Sequence, residues 1–141
     1  MPQPIRYDSI GFDLTKRFVL YKTVDASPSA ATETVIATLT IPSFSDISVV
    51  SGIVVSGWAA FTVGTSGVSA TLKIRQTNVS GATVATTGVL TGGVAAGNLL
   101  AQDIEGFDSG AGASSYALTL TIGSGAATST VSALVLKAVI V

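Results

Sequence analysis

Tyr116-Ala117-Leu118-Thr119-Leu120-Thr121-Ile122 puts Tyr116, Leu118, Leu120 and Ile122 on one parity and Ala117, Thr119 and Thr121 on the other. Successive side chains of a β-strand point to opposite faces, so this stretch is a half-buried strand with one apolar side. The alternation recurs at 35–41, where Val35, Ala37, Leu39 and Ile41 oppose Ile36, Thr38 and Thr40. It recurs again at 68–76, where Ala70, Leu72 and Ile74 oppose Thr71, Lys73 and Arg75. Val, Ile and Thr suit a pleated surface, and one wet face with one dry face is the antiparallel pattern.

Working outward from these three stretches, strands are expected at 17–24, 33–41, 48–57, 58–63, 68–77, 82–87, 98–105, 115–122 and 130–140. Residues 48–63 read either as two strands or as one strand bent at Gly57, because an interior glycine often marks a bulge or bend. Turn chemistry fills the intervals: Ala26-Ser27-Pro28-Ser29, Gly64-Thr65-Ser66-Gly67, Ser80-Gly81, Gly92-Gly93 and Ser109-Gly110-Ala111-Gly112. Residues 94–102 could make one helical turn, weakened by Gly97. Short strands with regular turns predict an all-β, single-domain antiparallel β-sandwich of jelly-roll type with about eight strands. The expected domain is 17–141. Residues 1–16, with Pro2 and Pro4, are expected to form an extended N-terminal arm.

The chain has 141 residues, enough for one core. Charged residues make up 11%, well under half of the roughly 25% of ordinary soluble domains. Mean hydropathy is +0.64, which excludes disorder driven by polarity and charge. Seven Lys and Arg against eight Asp and Glu give a net charge of −1, so no basic excess is available for nucleic-acid phosphates. There is no cysteine and no histidine. That removes disulfides, thiolate chemistry, the commonest general base and the commonest metal ligand. An enzyme and a cofactor are therefore not expected. The N-terminus shows no apolar run of signal type, so no secretory leader is expected. Residues 47–72, 76–102 and 109–136 carry no charge, yet their apolar residues alternate instead of running on, so no membrane helix is expected.

The last strand carries the functional argument. Leu134, Leu136, Ala138 and Ile140 make one face; Val135, Lys137, Val139 and Val141 make the other. If the first set faces the core, three valines point outward around one lysine. Either loops cover that side, or it packs on another subunit, since a monomer rarely leaves a large contiguous apolar patch in water. In 49–63, Val49, Ile53, Val55, Phe61 and Val63 share one parity, and Val50, Val54 and Trp58 the other, so both faces carry large apolar groups. Closed symmetric assembly would cover such a surface. Val135, Lys137, Val139 and Val141 are thus candidate interface residues. Arg6 and Arg17 join them, because Arg6, Lys16, Arg17 and Lys22 crowd the first 22 positions and a guanidinium pairs carboxylates bidentately.

Other motifs weigh less. Asp103, Glu105 and Asp108 form D-x-E-x-x-D, a weak Ca²⁺ candidate whose spacing is not that of an EF-hand. On a strand, Asp103 and Glu105 would share a face, and a solvated acidic segment is the plainer expectation. Paired carboxylates also serve glycoside hydrolysis, but the aromatic platform is thin: one Trp, three Tyr and five Phe. Asn78-Val79-Ser80 fits a glycosylation sequon and, beside Gly81, equally a hairpin turn. No S-x-x-K, G-x-S-x-G or phosphate-loop pattern occurs.

Ser115–Ile122 followed by Thr130-Val131-Ser132-Ala133-Leu134-Val135-Leu136-Lys137-Ala138-Val139 resembles the final two strands of viral surface modules: the jelly-roll decoration, turret and fibre-head domains of tailed phages and archaeal viruses. Leu20-Tyr21-Lys22-Thr23-Val24 and Ala37-Thr38-Leu39-Thr40-Ile41-Pro42 resemble strands that open such modules. The resemblance covers about half the chain and brings no binding motif with it. It implies a small virion protein, often trimeric, that sits on a capsid or tail beside a major capsid or other virion protein. The alternatives are a receptor- or glycan-binding fibre module and a filament subunit that lends a terminal strand (1–24 or 130–141) to its neighbour.

Overall fold

The computed structural model describes residues 17–22, 32–41, 52–64, 69–89, 99–109, 113–123 and 129–141; for 17–22 it describes the backbone. The strands are β1 (Arg17–Lys22), β2 (Thr34–Thr40), β3 (Gly52–Val63), β4 (Ala70–Gln76), β5 (Thr83–Thr86), β6 (Leu99–Ser109), β7 (Ser115–Ile122) and β8 (Ser129–Ile140). They form two four-stranded sheets, ordered β1-β8-β3-β6 and β2-β7-β4-β5, with every pairing antiparallel. The pairs β1–β8, β2–β7, β3–β6 and β4–β5 are the rungs of one long hairpin whose tip is the β4–β5 turn. Rolling that hairpin up places alternate rungs in opposite sheets. This is the eight-stranded jelly roll.

The alternation predicts the core well. Ile53, Val55, Phe61 and Val63 of β3 are buried, as are Leu72 and Ile74 of β4, Tyr116, Leu118, Leu120 and Ile122 of β7, and Leu134, Leu136, Ala138 and Ile140 of β8. They interdigitate as one cluster between the sheets.

Strict alternation fails at bulges. In β2 the register passes from Val35↔Thr119 to Ala37↔Leu118, leaving Ile36 as the extra residue. Ile36 and Ala37 are both buried and Val35 is exposed, so Val35 does not share a face with Ala37 and Leu39 as strict alternation predicts. Residues 52–63 form one strand, and Gly57 is not its bend. The register slips instead between Ala60 and Phe61, where Ser132 of β8 is the extra residue and donates its hydroxyl to the Ala60 carbonyl at 3.2 Å. Gly57 lies under the opposite sheet: a Cβ there would sit 3.1 Å from a Leu118 methyl and 3.2 Å from Ile104.

The segment 99–102 belongs to β6 and is not helical; 94–98 lie outside the described residues. So do the arm 1–16, Val49, Val50 and the turns 26–29, 65–67, 92–93 and 110–112. Asn78-Val79-Ser80-Gly81 is the β4–β5 turn, as its composition suggests. Thr77 has φ 65°, in the left-handed region, and the Asn78 N–H donates across it to the Gln76 carbonyl at 2.7 Å. The Asn78 side chain accepts from the Ser80 N–H at 2.8 Å. A Cβ on Gly81 would lie 1.6 Å from the Gln76 carbonyl oxygen, so only glycine closes this turn.

Two polar networks pin the layers. Between the sheets, Tyr116 is fully buried; its hydroxyl donates to Asp108 at 2.7 Å and accepts from the Ala113 N–H at 3.0 Å. Gln76 donates to both Asp108 oxygens at 2.9 and 3.0 Å, tying β4 to β6. Burial pushes the Tyr116 hydroxyl pKa up, with the Asp108 carboxylate adding to the shift. On the outside of the second sheet, Arg75 grips Glu33 through Nε and through Nη2 at 2.7 Å. Thr119 donates to the same carboxylate at 2.7 Å, and Lys73 Nζ lies 3.6 Å away.

Candidate assembly face

The register of the first sheet lays its outward residues in rows across the strands. One row is Val139–Val54–Phe107, the next Lys137–Ser56–Glu105, the next Val135–Trp58–Asp103, and then Ala133–Ala60–Ala101. Strands are spaced about 4.8 Å apart and alternate residues about 6.8 Å along them. Across β8, β3 and β6 the rows therefore form a nearly continuous apolar surface interrupted by Lys137, Glu105 and Asp103. Phe107 is 52% exposed, Trp58 38%, Leu99 66% and Val141 43%; Val54, Val135 and Val139 are half-buried.

The second sheet offers an internal comparison. Its outward positions include Thr38, Thr40, Thr71, Lys73, Arg75, Thr83, Thr86, Thr119 and Thr121, with Val35 as the large apolar exception. One outer face is written in threonine and charge, and the other in Trp, Phe and Val. Low overall charge alone does not explain that difference, since both sheets come from the same composition.

The structure distributes the sequence-derived candidates unevenly. Val135, Lys137, Val139 and Val141 lie along the outward side of the closing strand, as the alternation requires. β8 is not an edge: it runs between β1 and β3. Arg17 opens β1 opposite Val139, and Arg6 lies outside the described residues. Trp58 and Val54 had the right parity in the sequence. Phe107 escapes a sequence reading that stops the strand at 105, although it shares its parity with Asp103 and Glu105; Leu99 lies within the expected strand 98–105 but is not singled out there.

The acidic trio does not converge. Asp103 and Glu105 stand on the outward face of β6, whereas Asp108, of opposite parity, turns inward to Tyr116 and Gln76. A strand cannot point residues of both parities at one ion, so the weak Ca²⁺ candidate at Asp103, Glu105 and Asp108 is withdrawn. Among the described residues no group of three His, Cys, Asp or Glu could hold a metal ion. Among them, too, no helix is long and apolar enough to cross a membrane.

No family model and no curated protein matches the chain. Solved structures do. The VP2 protein of infectious bursal disease virus in derived T=1 particles aligns over 89% of this chain and 32% of its own, at 12% identity and TM-score 0.56. The VP2 subviral particle of the same virus aligns over 89% and 33%, at 13% identity and TM-score 0.56. A Bacillus endospore appendage described as a disulfide-linked pilus aligns over 89% and 91%, at 21% identity and TM-score 0.42. The chain spans about a third of the VP2 length. The VP2 neighbours are viral structural proteins, at the coarse level of the sequence resemblance, and they do not point to tailed phages in particular. At these identities the likeness is one of fold: this chain folds as a viral capsid jelly roll does.

Proposed function

We propose that this chain is a non-enzymatic virion structural protein that self-associates and decorates or stabilises a capsid or tail lattice. The observation that carries the reading is the contrast between the two outer faces: Trp58, Phe107 and the valines on one, threonine and charge on the other. Burial of apolar surface is worth about 25 cal/mol per Å². Repetition over a lattice multiplies a modest contact into firm attachment. The N-terminal residues 1–16 with Arg6, and Arg17 at the start of β1, dock on an acidic surface of a neighbouring virion protein, where charge sets orientation more than affinity. The module acts at the virion surface and needs neither cofactor nor nucleic acid.

Light scattering on the purified chain at micromolar concentration is the test. A discrete oligomer is expected, and Trp58→Glu is expected to shift it to monomer with an unchanged far-UV circular dichroism spectrum. Introducing a charge at a central aromatic contact typically costs 2 kcal/mol or more of association, about thirtyfold. A wild-type chain that stays monomeric would overturn the reading. A glycan array separates it from a fibre-tip adhesin, since a lattice clamp should bind no glycan.

A further inference from the structure

The charges on the apolar face are arranged in a way that selects its occupant. Lys137 on β8 and Glu105 on β6 lie in one row on either side of Ser56, so each is one strand spacing, about 4.8 Å, from the line of β3. Asp103 is one outward position further along β6, still within reach of a lysine stem. No ion pair within the described residues joins Lys137 to either carboxylate; both recorded pairs belong to Glu33.

We infer that the outer face of the β1-β8-β3-β6 sheet packs on the same face of a second copy about a two-fold axis running along β3, setting Lys137 of each copy against the partner's Glu105. Rotation about that line exchanges the two sides of β3. The place held by β8 in one copy is then faced by β6 of the other. Lys137 meets the partner's Glu105 with the partner's Asp103 alongside, and by symmetry the contact is made twice. The neighbouring row brings Val139 against the partner's Phe107. Trp58 meets the partner's Trp58 on the axis, where an aromatic anchor contributes most.

The same charges argue against the other simple stacking. An axis lying along the row, across the strands, would set Lys137 on Lys137 and Glu105 on Glu105, and like charges at an interface cost several kcal/mol. A partner of uniform sign would leave either Lys137 or the two carboxylates unpaired. A second copy satisfies both. This face therefore joins copies in twos, and the trimer implied by the sequence resemblance would need a separate contact.

The inference rests on the self-association reading, and the experiment separates the two. Lys137→Glu is expected to raise the dimer dissociation constant about a hundredfold, because the like-charge contact occurs twice. Asp103→Asn with Glu105→Lys is expected to do the same. Mixed in equal amounts, the two variants are expected to form a heterodimer by light scattering, because each charge then meets its opposite. Trp58 is the sole tryptophan, so acrylamide quenching of the wild-type chain supplies a second reading that needs no variant: quenching should fall as concentration rises.

A wild-type chain monomeric at every concentration overturns both the self-association reading and the pairing. A wild-type oligomer with concentration-independent quenching overturns the pairing alone. So does an oligomer that Lys137→Glu leaves intact, or a mixture that forms no heterodimer while both variants keep the wild-type circular dichroism spectrum.

Discussion

Phe61→Ala is expected to lower stability by about 3–5 kcal/mol, the largest effect of any single truncation considered for this chain. The ring is wholly shielded from solvent, on β3 between Val131 of β8 and Leu100 of β6. Removing it forfeits the transfer free energy of the ring and leaves a void, because neither layer can easily collapse. β3 is hydrogen-bonded on both sides, and the Ser132 bulge fixes β8 beside it. For a chain of this size the thermal midpoint should fall by about 10 °C or more. Far-UV circular dichroism should follow the melt at several protein concentrations, since association stabilises the folded form by mass action. Thr62→Ala, one residue on and facing outward, should move the midpoint by less than the equivalent of about 0.5 kcal/mol. Equal shifts for the two would mean that the inward parity of β3 is misassigned.

That parity was readable from the residues alone, and the reason is physical. A jelly roll buries one side of every strand, so hydrophobic alternation records which side. It located all eight strands, the inward set of β8 and the two-sided apolar character of β3. It could not locate bulges. At Ile36 and Ser132 an extra residue flips the parity, yet neither Val35-Ile36-Ala37 nor Val131-Ser132-Ala133 carries a glycine or proline to mark it. It also lost the last four residues of β6, 106–109, where the inward positions are Gly106 and Asp108 and alternation stops being apolar. Both polar choices there have causes outside the strand. A Cβ at Gly106 would lie 2.6 Å from the Val84 carbonyl oxygen, so β5 crosses too closely for a side chain. Asp108 accepts from Gln76 and Tyr116, partners 32 residues before it and eight after it. The Ca²⁺ reading failed with that strand end, since three carboxylates within six residues converge only if the chain turns. The assembly face was half legible for the same reason: Val135, Lys137, Val139 and Val141 stood out on a strand fully recognised, and Phe107 did not.

Glu33 was invisible to the sequence reading, because its partner Arg75 is 42 residues away and only sheet pairing brings them together. It is the source of the second large effect. The Arg75 guanidinium, with help from Thr119 and Lys73, holds the Glu33 pKa down from the usual 4.5 to about 2. In the folded chain Glu33 therefore stays ionised through a range where the unfolded chain takes up a proton. The unfolded state binds more protons, so stability falls as pH falls, and the contribution is complete above pH 4.5 and gone near pH 2. A depression of that size corresponds to about 3 kcal/mol as an upper bound, trimmed by the 18% of the side chain that remains exposed. Urea midpoints of wild type and Glu33→Gln should therefore converge between pH 4.5 and 2, the wild type being the more stable at pH 6 by about 2–3 kcal/mol. Arg75→Met should lose the same acid dependence from the other side of the pair and cost at least as much at pH 6, because it leaves a partly buried carboxylate with only Thr119 and Lys73. Parallel pH profiles for wild type and Glu33→Gln would show that the clamp closing β2 onto β4 and β7 contributes nothing to folding, however good its geometry.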